Sequence, residues 1–175
     1  MNPAVARRVR AFVALGANIG EPVRHLRAAV EDMAALPGTA VVARSSLYRS
    51  APVGLVDQPD FINAVVALDT DLEPLALLRA LLAVEARHGR VRSVPNAPRT
   101  LDLDLLLHGD RQQDEPELIL PHPRMHERAF ALLPLAEIDP AASIPGRGAV
   151  AALLPALAGQ AIERVPTPAD SARHP

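Results

Sequence analysis

A chain of 175 residues is long enough for one hydrophobic core, and 49% apolar with 22% charged residues is the composition of an ordinary globular protein. A net charge of −2 gives no general attraction to nucleic acid or to an anionic membrane, and no apolar run approaches the ~20 residues of a membrane-spanning helix. The lack of cysteine excludes disulfides, thiolate metal sites and cysteine nucleophiles; all 18 Lys+Arg positions are arginine, which excludes a Gly-Lys-Ser/Thr phosphate loop and a lysine Schiff base.

The first 18 residues are basic and then apolar, but residues 11–15 are too short for the apolar stretch of a signal peptide. Residues 10–16 are expected as a strand, and the default location is the cytoplasm. After the Gly16-Ala17-Asn18 turn, Pro22 suits the first turn of a helix. Leu26, Ala29, Val30, Met33 and Leu36 recur at helical spacing, and Pro37-Gly38 ends the run. Residues 39–48 are expected as one strand, 50–60 as a long loop and 61–68 as a strand. Residues 74–88 form a second helix, carrying Leu77, Leu78, Leu81, Leu82 and Glu85 and closed by Gly89. Residues 90–98 are a loop rich in arginine and proline, which Pro95 and Pro98 stiffen. Residues 100–107 read as a strand and 117–120 as a short one. A helix over 127–138, interrupted near Pro134, and a short helix over 149–157 follow. One domain over 1–164 is expected, with a disordered tail from Val165. The order β-α-β-β-α-β, then further helix, predicts an α+β sandwich with helices packed on a largely antiparallel sheet.

Within that order, the stretch PRTLDLDLLLHGD at 98–110 stands out. As a strand it puts Asp102 and Asp104 on one face, roughly 6.5–7 Å apart at Cα. Leu101, Leu103, Leu105 and Leu107 then share the other face. Two carboxylates this close repel each other, and a divalent cation reverses the penalty. Magnesium suits one or two carboxylates completed by phosphate oxygens and water. Arg90, Arg92 and Arg99 precede the pair, and His122, Arg124, His126 and Arg128 follow it. Cations beside a carboxylate pair are what a triphosphate–magnesium complex requires. Two solvated aspartates on an exposed sheet face, with arginines in surface ion pairs, would read the same way from this pattern alone.

Four ordered segments carry a resemblance: ALGANIGEP at 14–22, SSLYRSAPVGLVDQPDFINAVVALDT at 45–70, PRTLDLDLLLHGD at 98–110 and LPHPRMHERAF at 120–130. Together they resemble the 6-hydroxymethyl-7,8-dihydropterin pyrophosphokinase family of folate biosynthesis, from about Phe12 to Pro140. The resemblance implies a ferredoxin-like α+β sandwich, mostly antiparallel, with a mobile-loop active site. It implies transfer of the β,γ-diphosphate of ATP, the co-substrate, to the pterin hydroxymethyl oxygen with release of AMP. Asp102 and Asp104 would hold two Mg2+ ions. Arg90, Arg92 and Arg99 would be catalytic and contact ATP, together with Leu78, Glu85, His122 and Arg128. Ser50, Val53, Gly54, Phe61, Asn63 and Phe130 would bind the pterin. A flat heterocycle wants aromatic faces, which Phe61 and Phe130 supply, and paired donor and acceptor groups, which Asn63 offers. Family members often carry a tryptophan and further basic residues in the loop before Pro98; here residues 93–97 supply neither.

Three other readings start from the same residues. A metal-dependent phosphodiesterase would use the aspartates with a water nucleophile, but the chain lacks the basic surplus of a nucleic-acid enzyme. A non-catalytic binding module leaves the aspartates and arginines unexplained. A degenerate member would bind ATP and pterin without turnover. The expected partners are small-molecule substrates, with neither nucleic acid nor membrane, and a monomer is expected.

Overall fold

The computed structural model describes residues 7–90 and 98–166. Arg92, Pro95 and the tail beyond 166 lie outside the described residues. Strand β1 (Val9–Ala17) leads through α1 (Pro22–Ala34) to β2 (Thr39–Arg44), β3 (Tyr48–Ser50) and β4 (Phe61–Thr70). Then come α2 (Pro74–Arg87), β5 (Asp102–His108) and the short pair β6 (Gln113–Asp114) and β7 (Ile119–Leu120). A 3-10 turn at Met125–Glu127 precedes α3 (Ala129–Ile138). The short strands β8 (Ser143–Ile144) and β9 (Gly148–Ala149), the helical turns α4 (Val150–Leu153) and Leu154–Leu157, and strand β10 (Ile162–Arg164) complete the described fold.

Strands β10, β3, β4, β1 and β5 lie side by side in that order, and β2 shares the β3 edge of β4; every described pairing is antiparallel. This is the ferredoxin-like α+β arrangement. Alternation along the strands explains its layers. Ala11, Val13 and Leu15 of β1, Ala64, Val66 and Leu68 of β4, and Leu101, Leu103 and Leu105 pack with Leu26, Met33, Leu77, Leu81 and Val84 of α1 and α2. The intervening Phe12, Ala14, Val65 and Ala67 meet Ala131, Leu132 and Leu135 of α3 on the opposite face. The site lies on this second face of the sheet, beyond α3.

Several expectations change on contact with the structure. The single strand over 39–48 is two strands. Ser45 keeps its bonds to Val65 through its backbone N–H and its Oγ, and the Ser46 N–H and hydroxyl then turn to Glu137. Side-chain oxygens thus replace the ladder at the break. Leu107 does not share a face with Leu101, Leu103 and Leu105. Phe12 pairs with Leu107 and Val13 with Leu105, so a bulge at Leu106 flips the strand and sends Leu106 and Leu107 towards α3. The strand over 117–120 shrinks to β7. The third helix starts at Ala129 after the 3-10 turn and runs through Pro134 without a break. Proline forfeits one helical bond there, and burial of Leu132, Pro134 and Leu135 offsets it. Val165, expected to open a disordered tail, is held in place: its N–H donates to the Leu47 carbonyl at 2.8 Å, and its side chain packs against the core.

Candidate active site

The register of three strands builds the floor. Asp102 lies opposite Gly16 and Asp104 opposite Ala14, while Gly16 lies opposite Asn63 on its other side. Two small residues on the middle strand leave depth above the sheet. There a cavity of about 440 Å³ opens, with both aspartates, Asn63, Phe61 and Phe130 in its wall.

Three arginines and a histidine ring the aspartates. The Arg99 guanidinium donates to Asp102 Oδ2 at 3.1 Å. Arg90 stands 3.8 Å from Asp102 Oδ1 and 3.7 Å from Glu85 Oε2. Arg128 and His122 each stand 3.9 Å from a different oxygen of Asp104. Arg99 also lies over the Phe61 ring, its central carbon 5.7 Å from the centroid, and Arg128 lies over Phe130 at 5.5 Å. Each aromatic wall is thereby linked through one arginine to one aspartate. Cation–π contact of this kind orients the guanidinium as well as attracting it.

Buried polar contacts hold the walls. Asn63 donates to the Ser50 hydroxyl at 2.7 Å, fastening β4 to β3. Buried Asn18, at the end of the β1 turn, donates to Gln58 Oε1 at 2.8 Å and to the Pro59 carbonyl at 2.9 Å, and its own Oδ1 accepts the Arg99 N–H at 2.9 Å. One amide therefore joins the 51–60 loop to the approach of β5. His122 titrates far below an ordinary imidazole: burial, then the nearby Arg128 guanidinium, push it down to about 4. At neutral pH it is an uncharged donor or acceptor rather than a cation.

The expected site residues fall into distinct places. Val53, Phe61, Asn63, Phe130, Arg99, Arg128 and both aspartates line the cavity. Arg90 and His122 approach the aspartates from outside its lining. Ser50 is buried behind Asn63, and Gly54 turns the 51–60 loop at φ +83°. Val53, Leu55 and Val56 stand exposed on that loop, at 67%, 49% and 76%, an apolar edge beside the cavity mouth. Glu85 is buried in α2 beside Arg90, and Leu78 packs partly buried against the α1–α2 core rather than in the cavity. Arg92 lies outside the described residues. Sequence reasoning did not single out Asn18, Gln58, Glu127 or Gln160. The glycine-asparagine turn carried a signal for Asn18; nothing in the local pattern marks Gln160, which sits between a helical turn and a three-residue strand.

The donor set fits magnesium. Asp102 and Asp104 offer hard oxygen ligands on one face, and among the described residues no third carboxylate, histidine or cysteine completes a cage made of protein alone. That leaves the remaining coordination to phosphate and water, as magnesium prefers. Arg90, Arg128 and His122 approach these carboxylates at 3.8–3.9 Å, longer than hydrogen bonds.

Residues 12–140 match the family described as 7,8-dihydro-6-hydroxymethylpterin-pyrophosphokinase (HPPK). A 2-amino-4-hydroxy-6-hydroxymethyldihydropteridine pyrophosphokinase of Pseudomonas aeruginosa is 48% identical over 157 residues, covering 90% of this chain and 97% of the relative. That of Methylorubrum extorquens is 48% identical over 159 residues, covering 89% and 98%. Among solved structures, wild-type Plasmodium falciparum HPPK-DHPS with pterin and p-hydroxybenzoate superposes with a TM-score of 0.72 at 14% identity, over 92% of this chain and 46% of that one. That likeness speaks to the fold alone, and this chain spans less than half of that longer protein.

Proposed function

Since the chain belongs to the 7,8-dihydro-6-hydroxymethylpterin pyrophosphokinase family, ATP-dependent diphosphotransferases of folate biosynthesis, we propose that it transfers the β,γ-diphosphate of ATP to the hydroxymethyl oxygen of 6-hydroxymethyl-7,8-dihydropterin. The observation that carries this reading is the pair of ring–arginine–aspartate chains, Phe61–Arg99–Asp102 and Phe130–Arg128–Asp104. They put flat apolar surface and phosphate-binding charge within one cavity, as a substrate with a flat ring and a reacting alcohol requires.

The pterin ring lies between Phe61 and Phe130, and Asn63 meets its amide edge with one acceptor and one donor. Val53 and Gly54 bring loop backbone to the ring, and Ser50 keeps Asn63 oriented. Glu85, Leu78, Arg90 and His122 serve the nucleotide side. Asp102 and Asp104 are the ligands for two magnesium ions, which, when bound, supply positive charge to the phosphate oxygens. The hydroxymethyl oxygen forms a bond to the β-phosphorus, the bond from the β-phosphorus to the oxygen it shares with the α-phosphate breaks, and AMP departs with that oxygen. The hydroxyl proton leaves to solvent. Arg90, Arg92, Arg99 and Arg128 hold the negative charge that spreads over the transferring group and keep it in line with the attacking oxygen. Catalysis here is positioning and electrostatics, and the residues need form no covalent bond with the substrate.

We read the chain as one pyrophosphokinase domain over residues 1–164 that acts as a monomer in the cytoplasm, the compartment that holds ATP. Among the described residues no helix is long and apolar enough to cross a membrane.

A calorimetric titration tests the site without turnover. An ATP analogue with a methylene group between the α- and β-phosphorus cannot release AMP. With that analogue and magnesium present, the pterin should bind measurably; with magnesium chelated, binding should weaken by at least about tenfold. Pterin binding indifferent to nucleotide and magnesium would contradict the reading.

A further inference from the structure

Arg128 reaches Asp104 and Phe130 from a short extended step between a 3-10 turn and α3, with φ −119° and ψ 109°. No side chain of its own neighbourhood caps α3. The partner comes from more than thirty residues away. Gln160 accepts the Ala129 N–H through Oε1 at 2.9 Å and donates through Nε2 to the Glu127 carbonyl at 2.7 Å. The two bonds bracket Arg128 on both sides. They engage one N–H that the helix start leaves open and one carbonyl just before it. Both ends of a single planar amide are used, so the Arg128 backbone is held in orientation as well as in place.

Gln160 is itself fixed from the other side of the cavity. Two residues on, β10 pairs with β3, matching Ile162 with Ser50, and the Ala51 N–H donates to the Ala161 carbonyl at 3.4 Å. Ser50 accepts from Asn63. The segment from Gln160 to Arg164 thus runs between the Asn63 wall and the Arg128 wall, and Gln160 lines the cavity where it crosses.

We infer that Gln160 is a positioning residue for Arg128, and that the C-terminal segment sets the distance between the Asn63 wall and the Arg128 wall. This rests on the proposed diphosphate transfer for its kinetic consequence. Gln160 is exposed and outside both core clusters, so its removal leaves the fold in place.

The test is a double-mutant cycle of Gln160→Ala with Arg128→Ala, read both as kcat/KM for AMP formation and as Kd for magnesium–ATP. Gln160→Ala alone should lower kcat/KM by about tenfold and weaken magnesium–ATP binding severalfold, and amide exchange at Ala129 should accelerate. Added to Arg128→Ala, it should change either constant by less than about twofold, because the group it acts through is gone. Gln160→Glu, which can accept from Ala129 but cannot donate to Glu127, should recover only part of the loss. Equal factors in both backgrounds, or wild-type constants in Gln160→Ala, would overturn the inference. A wild-type protein that binds magnesium–ATP without forming AMP would refute the transfer reaction, and the cycle would still be decided in Kd.

Discussion

Asn18 and Arg99 clasp each other across two loops: the Asn18 N–H donates to the Arg99 carbonyl at 3.0 Å, and the Arg99 N–H donates to Asn18 Oδ1 at 2.9 Å. The same amide holds Gln58 and Pro59. Asn18→Ala removes three of these partners at a site only 3% exposed. The Arg99 N–H and the Pro59 carbonyl then lose their bonds; both bonds are part-buried, so water takes up some of the loss, and the two together cost about 1–3 kcal/mol. Denaturant unfolding should show a loss in that range. Turnover should fall further than stability explains, because Arg99 no longer meets Asp102 squarely. Full activity in a destabilised Asn18→Ala protein would separate the clasp from the site.

Asp102→Asn and Asp104→Asn keep shape and remove charge. Each should lower kcat by at least about 10²–10³-fold, the order seen when one electrostatic contact to a transition state is lost. Thermal midpoints should hold or rise in Asp104→Asn, since a repelling pair becomes a single charge. Either variant turning over at the wild-type rate would remove that carboxylate from the metal site.

The aspartate pair was legible in the sequence because a strand has a period of two: alternation put both carboxylates on one face and Leu101, Leu103 and Leu105 on the other. Leu107 was misplaced because alternation assumes an unbroken ladder, and the bulge at Leu106 is set by the partner strand. The α+β sandwich followed from the order of apolar periods, and its ferredoxin-like form from the resemblance. The break at Ser45 did not, since it depends on Glu137, distant in sequence and recruited through α3. Phe61 and Phe130 were singled out through the resemblance carried by the segments at 45–70 and 120–130, and both line the cavity. Gln160 and β10 were missed because their bonding is all to remote backbone.

The chain's single tyrosine offers a pH measurement. Burial, then the hydrogen bond from its hydroxyl to Glu137, pushes Tyr48 up to about 12 from 10.0. Between those values the unfolded chain binds fewer protons than the folded one. The stability Tyr48 contributes is therefore complete below about pH 10 and lost as pH rises towards 12. Ultraviolet titration of the tyrosinate should give a midpoint near 12 in the folded protein and a lower one in Glu137→Gln. A midpoint near 10 in the folded wild type would show that the hydroxyl is not held as described.

Gly38 and Gly89 both follow helices with positive φ, +56° and +77°. A Cβ at Gly38 would lie 2.7 Å from Asp71 Oδ2, whereas one at Gly89 meets nothing within 4 Å among the described residues. Gly89→Ala should cost the left-handed backbone term, about 1–2 kcal/mol. Gly38→Ala should cost more, because Asp71 must also move while its N–H stays bonded to the Gly38 carbonyl at 2.8 Å. Both effects are readable in urea unfolding, and equal losses would show that Asp71 yields freely.

The central claim is that one cavity joins a pterin alcohol to the β-phosphorus of ATP. It is tested most directly by incubating the protein with ATP, magnesium and 6-hydroxymethyl-7,8-dihydropterin and separating the nucleotides by chromatography. The account predicts AMP, in amounts equal to the pterin diphosphate formed, and none when the pterin is omitted. ADP as the product, or AMP formed equally well without the pterin, would contradict it.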